Sequence, residues 1–139
     1  MESYIKEICD NLDGEWKLEW VVYVLRSVSN PHLMYCGMTN NIRRRLRQHN
    51  GLIVGGGKYT SANRPWKLSL LIPVSSKEEA LAVEYWTKAK NYKSKAGIPT
   101  SCPIERRVWL VKTSMLEHGL NNLLTFDEDF KKYFVDIKR

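Results

Sequence analysis

A carboxylate set among apolar neighbours on a helix is the first candidate for chemistry in this sequence. At about 100° per residue, Ala80, Leu81, Val83 and Tyr85 spread over one broad apolar face, and Glu84 falls between Ala80 and Leu81 on it. Such a group is costly to bury unless it is paired or binds a cation. Two roles are open to it. One is an i,i+4 ion pair with Lys88, worth about 0.2–0.5 kcal/mol. The other is ligation of a hard metal such as Mg2+, which often takes one carboxylate and keeps several waters.

An earlier helical stretch carries Ile42, Leu46 and His49 on one stripe, with Arg43, Arg44 and Arg47 pointing away. Arg45 falls beside His49 at the stripe's edge, where an arginine can lay its stem on the core and present its guanidinium at the rim. It is either a working cation or an ordinary helix-flank residue. Tyr23 and Tyr35 stand on two runs that read as strands; phenols so placed serve as core, with their hydroxyls finding a partner at the edge. Cys9, Cys36 and Cys102 include no C-x-x-C pair, so neither a zinc ribbon nor a RING-type site can be built.

These residues need elements to hold them. Tyr4, Ile5, Ile8 and Leu12 predict a short helix over 3–12. The β-branched run Trp20–Leu25 predicts a buried strand, Ser29-Asn30-Pro31 a turn, and Leu33–Gly37 a second strand paired to the first as a hairpin. Asn40-Asn41 caps the helix 42–49, which stops at Asn50-Gly51. Gly55–Gly57 and Ser61–Pro65 predict a flexible basic loop, and Trp66–Val74 a third strand whose Pro73 belongs at a sheet edge. Ser76–Glu79 is a capping box for a helix to about Lys93, broken at Lys95–Pro99. A further helix follows Pro103 to near Gly119, and Thr125–Glu128 reads as the capping box of a last helix with Phe130 and Phe134. The expected class is α+β: a small three-stranded antiparallel sheet flanked by helices, with an extra C-terminal helical segment.

Composition narrows the function. The chain has 139 residues, 43% of them hydrophobic, enough for one domain with a real core. Its longest apolar runs fall far short of the roughly 20 residues of a membrane span, and no signal-peptide pattern opens it, so an intracellular, membrane-free protein is expected. The net charge is +7, and residues 21–67 hold eight Lys/Arg with no acid anywhere between Glu19 and Glu78. A block that basic inside a folding segment suggests a polyanion partner, against the plainer reading of a solvated face.

The order Val21-Val22-Tyr23, Tyr35-Cys36-Gly37, Arg45 and then Glu84 on a later helix resembles the GIY-YIG nuclease superfamily. The first tripeptide stands where that family has Gly-Ile-Tyr and the second where it has Tyr-Ile-Gly. Gly37–Leu46 followed by His49-Asn50, Lys58-Tyr59-Thr60, Arg64-Pro65-Trp66 and Glu79-Ala80-Leu81 are similar to the subgroup of the eukaryotic structure-specific resolvase's catalytic subunit and its small bacterial single-domain relatives. The likeness spans about residues 20–92. Val21 and Cys36 depart from the motif, and Met38 stands where several members have Lys. The tail lacks the eight ligands of the resolvase subunit's RING. The implied division is an N-terminal extension (1–19), a nuclease domain (20–94) and a helical extension (95–139) that packs on it or meets a protein partner or a second copy.

The resemblance implies metal-assisted hydrolysis of a DNA phosphodiester by in-line attack of water, with Mg2+ or Mn2+ as cofactor. Glu84 would anchor the cation, Arg45 would bind the non-bridging oxygens, and Tyr23 would activate the water. A phenol near pKa 10 needs its phenolate stabilised to serve as a base. Tyr35 or His49 would do that, or His49 would itself be the base. Arg43, Arg44, Arg47, Lys58, Arg64 and Lys67 would contact phosphates, and Tyr59 and Trp66 would either stack on unpaired bases or, as the favoured reading, serve partly as core. With no recognition helix in sight, structure-selective cutting with little sequence preference is expected. The near-neutral C-terminal segment is not expected to add a second DNA-binding module. The competing class is a nucleic-acid-binding adaptor without catalysis; an acid retained within a basic groove argues for the enzyme.

Overall fold

The apolar run that begins at Trp20 becomes the strand around which everything else is built. In the computed structural model, which describes residues 1–12, 20–88 and 101–134, β1 (Trp20–Ser27) has both faces covered from Val21 to Leu25. That is why its sequence is a continuous apolar run and not an alternating one. β2 (Met34–Thr39) and β3 (Trp66–Val74) flank it antiparallel, and β4 (Leu124–Thr125) pairs with β3, giving the order β2-β1-β3-β4.

Each face of the sheet has its own core. Val22, Val24, Cys36, Leu70 and Ile72 pack against α4 (Lys77–Thr87), α5 (Pro103–Glu117) and α6 (Glu128–Lys131). On the opposite face Val21, Tyr23, Leu25, Leu68 and Trp66 pack against α1 (Glu2–Asp10) and α2 (Ile42–His49). A register shift between Val24 and Leu25 in the β1–β3 pair marks an irregularity at the middle of the sheet. The buried stripe of α2 is the expected Ile42, Leu46 and His49, with Asn41 capping by accepting from the Arg44 N–H. Ser76 likewise caps α4 through the Glu79 N–H.

Four expectations change. The sheet has four strands, because two residues suffice for β4 when Leu70 and Leu71 offer them an open edge. Thr125 therefore lies in a strand, and the N-cap of the last helix is Asp127, whose carboxylate accepts from the Asp129 N–H at 2.9 Å. The basic loop after Gly57 contains a one-turn helix, α3 (Lys58–Ser61). On α4 the buried stripe is Ala80, Val83 and Thr87, whereas Leu81 and Tyr85 are 52% and 41% exposed. Glu84 thus borders the core; it does not sit inside an apolar face. The expected extension of that helix to Lys93 and its break at Lys95–Pro99 lie outside the described residues.

Asp127 also ties the end of the chain to the sheet. It accepts from Arg26 on β1 (3.1 and 3.3 Å) and from the Ser69 hydroxyl on β3 (3.0 Å), while Arg26 reaches Asp129 at 2.8 Å. Asp127→Ala removes a cap and leaves a half-buried guanidinium with one fewer partner. A loss of about 1–3 kcal/mol is expected in urea unfolding; a change under 0.5 kcal/mol would show that this network holds nothing.

Candidate active site

Gly37 lies opposite Tyr23 in the β1–β2 register, and the Tyr23 ring lies across it: a Cβ at position 37 would fall on the ring and its hydroxyl. The strand without a side chain at that point lets a phenol cross to the sheet's outer strand while remaining 1% exposed. At its tip the hydroxyl meets His49 Nε2 at 2.8 Å and receives the Arg45 Nε–H at 3.3 Å. Both partners come from the buried stripe of α2 and its edge, as helical spacing predicts.

The imidazole is oriented from behind. Its Nδ1 is 2.8 Å from the Thr60 hydroxyl, which donates to the Gly57 carbonyl at 3.4 Å. One tautomer satisfies all three contacts: Thr60 accepts from Nδ1–H while donating to Gly57, and Nε2 accepts from the Tyr23 hydroxyl. The protons then run in one direction, from Tyr23 toward His49. Burial, with the charges of Arg45 and Arg64 adding to it, lowers the His49 pKa to about 4, so the ring is neutral and able to accept near pH 7. Burial also pushes the Tyr23 phenol well above its usual value; Arg45 offsets only part of this, and Tyr35 and Glu84 add to the rise. Tyr23 holds its proton until a partner takes it.

Arg45 is fixed by three contacts: its Nε to Tyr23, and one Nη to both Gln48 Oε1 and the Gly55 carbonyl, each at 2.9 Å. Tyr35 stacks against the same group, its ring 4.9 Å from His49, 6.4 Å from Tyr23 and 5.9 Å from Tyr59. Glu84 approaches from the other face of the sheet. It pairs with Lys88 at 3.1 Å, and the Lys88 ammonium lies 5.7 Å from the centre of the Tyr35 ring. The carboxylate accordingly stands at the β2 edge, near enough for its charge to bear on Tyr23. The i,i+4 pair weighed from the sequence is formed. Among the described residues no three His, Cys, Asp or Glu side chains gather into a metal-binding group.

The basic residues divide. Arg43, Arg44 and Lys58 are exposed, and Tyr59 is half-exposed above Tyr35. Arg47 is paired with Glu2 at 3.2 Å. Arg64 donates to the His49 carbonyl at 2.9 Å, so it braces the end of α2. Lys67 lies over the Tyr4 ring on α1, apart from this group. Trp66 is no stacking platform: it is fully buried, its indole N–H donating to the Thr60 carbonyl at 2.8 Å. Thr60, Gln48 and the Gly55 carbonyl had no role in the sequence reading. Their parts depend on how the glycine-rich loop folds back, which leaves no periodic signal.

The family model described as the GIY-YIG catalytic domain matches residues 19–96, more than half of the chain. The curated relatives include a structure-specific endonuclease subunit SLX1 of Malassezia globosa, 45% identical over 71 residues (50% of this chain, 16% of the relative). A Debaryomyces hansenii protein of the same name is 47% identical over 68 residues (46% and 20%). One from Aspergillus terreus is 39% identical over 123 residues (83% and 31%). The chain thus spans between 16% and 31% of the length of these three relatives.

The His49 shift has a signed consequence for stability. Between pH 6.5 and about 4 the unfolded chain takes up a proton that the folded chain refuses. The contribution is complete above pH 6.5 and is lost as pH falls toward 4. His49→Gln should flatten that part of the urea-midpoint-against-pH curve relative to wild type. Parallel curves would mean the imidazole is not held neutral.

Proposed function

Because this chain belongs to the GIY-YIG catalytic domain family, we propose that it is a metal-dependent DNA endonuclease. The observation that carries the reading is the junction of Tyr23, His49 and Arg45 on one side of β2 with Glu84 at its edge. Structure-selective cutting of branched, flap or junction DNA is supported by the relatives' name, structure-specific endonuclease subunit.

The chemistry follows from these positions. The Tyr23 hydroxyl passes its proton to His49 Nε2 as it takes one from the attacking water, so no standing phenolate is needed. His49, with a pKa of about 4, is neutral before the step; burial and Arg45 disfavour the imidazolium it becomes, so the transfer draws on the negative charge the substrate brings beside it, with Thr60 the partner of its other nitrogen. This gives the two candidates for the base successive parts in one relay. Arg45, held rigid by Gln48 and Gly55, makes charge-assisted bonds to the phosphoryl oxygens as their charge grows. Glu84 is the carboxylate that would hold Mg2+ or Mn2+. A lone carboxylate suits a hard cation completed by water and phosphate oxygens, and the Lys88 pair that now neutralises it is worth only about 0.2–0.5 kcal/mol. When bound, the ion polarises the phosphoryl group and stabilises the leaving oxygen.

Arg43, Arg44, Lys58 and Tyr59 form the outer DNA contacts in this reading, and Arg47, Arg64 and Lys67 serve chiefly within the protein. The nuclease unit comprises 20–94. The relatives' designation as subunits supports a protein partner, which we assign to the C-terminal extension, 95–139. No helix among the described residues is long and apolar enough to cross a membrane, in keeping with action on DNA in the nucleus or cytoplasm.

Cleavage of flap, fork, four-way junction and linear duplex DNA with and without Mg2+ tests the reading. Wild type should cut branched forms only with a divalent ion. Arg45→Ala and Glu84→Ala should each lose at least about 100-fold, and Tyr23→Phe about 100- to 10,000-fold, with DNA binding retained. A wild type that binds but cuts under no divalent ion would leave a binding adaptor. A Glu84→Ala that cuts normally would remove the metal assignment.

A further inference from the structure

β2 is an edge strand, and what stands beyond it is unlike the rest of the surface. A cavity of about 550 Å3 opens there, walled by His32, Tyr59, Lys88, Arg106, Arg107 and Leu110 among others, and among the described residues no acidic side chain lines it. Three permanent cations share the hollow. One of them, Lys88, is the residue paired with Glu84, so the hollow begins where the candidate metal ligand stands. Tyr59 forms its rim and stacks on Tyr35.

The arginines come from the first turns of α5, beyond the segment matched by the family model. Arg107 donates to the Thr87 carbonyl at the end of α4, which fixes its stem at the cavity wall. Among the described residues neither Arg106 Nε nor Arg107 Nε has an acceptor, and both are shielded from water. Leaving a buried donor unmade is unfavourable. Both arginines also line the hollow, and guanidinium groups there beside a lysine suit an oxyanion supplied from outside. Lys88 is matched by Glu84, and a neutral ligand would add no counter-charge for the two arginines.

We propose that this cavity is a phosphate subsite of the nuclease, in which Arg106, Arg107 and Lys88 hold the backbone of the DNA strand one or a few nucleotides from the bond being cut. A base of that strand rests on Tyr59. The proposal depends on the nuclease reading and extends it: α5, on a segment of near-neutral overall charge, supplies one wall of the groove. Arg106 and Arg107 position substrate and take no part in the chemical step.

The test is fluorescence-anisotropy binding of a labelled branched DNA over a salt series, with single-turnover cleavage in Mg2+, for wild type, Arg106→Gln/Arg107→Gln and Arg106→Lys/Arg107→Lys. Circular dichroism and the thermal midpoint confirm folding. The glutamine pair should bind at least tenfold more weakly, with a log affinity–log salt slope shallower by about two, yet cleave at the wild-type rate once saturated. The lysine pair should recover most of the slope. Unchanged affinity and slope in a wild type that binds and cuts would overturn the subsite alone. A loss in both variants of the saturated rate but not of affinity would overturn the positioning role. A wild type that neither binds nor cuts would overturn the nuclease reading with it.

Discussion

A hydroxyl group that the fold has put almost entirely out of reach of water governs this structure. Burying the Tyr23 phenol is tolerable only because its oxygen and its proton both have partners, and each partner has another constraint behind it. His49 is aligned by Thr60, and Thr60 by the turn at Gly57. Arg45 is held by Gln48 and Gly55. Unmade, either buried bond of His49, to Tyr23 or to Thr60, would cost about 1–3 kcal/mol. The glycine-rich loop is therefore held by the same bonds that set the protonation states.

That dependence explains the electrostatics. Low polarity around the site acts in opposite senses on its two titrating groups, raising the phenol and lowering the imidazole. The outcome is a neutral acid beside a neutral base, joined by a 2.8 Å hydrogen bond, a pair that stays neutral until a charged substrate makes the transfer of its proton favourable. Arg45 supplies the permanent charge, and the rigidity of its bonds keeps that charge from collapsing onto its neighbours.

What the sequence disclosed follows from which residues have periodicity behind them. Tyr23, Tyr35, Arg45 and His49 lie on regular elements, so spacing put each on its strand or helix face, and the family resemblance joined them into one group; α2's buried stripe emerged intact. Glu84 was read as more enclosed than it is, because Leu81 and Tyr85 look like core residues yet face outward. Trp66 was weighed between base platform and core, and it is core. Its bulk is needed under the loop, where its N–H closes the Thr60 carbonyl. The loop contacts, the two-residue β4 and the Asp127 cap depend on pairings across long stretches of chain, and no local pattern records those. Arg106 and Arg107 belong to the same class: on α5 they look like two unremarkable charges until the β2 edge is brought beside them.

The short pairing of β4 has a further consequence. β3's outer edge would otherwise be a row of free backbone donors and acceptors beside Leu68–Leu71, the kind of edge on which chains recruit one another. Leu124 and Thr125 occupy its middle, the Phe126 N–H closes onto Ser69 at 2.9 Å, and Pro73 has no donor to offer farther along. The C-terminal segment is thus a cover for the sheet as well as an appendage to it. A chain shortened before Leu124 would keep every catalytic candidate yet present a naked strand, and its characteristic failure would be strand-to-strand aggregation, with the site chemistry still intact.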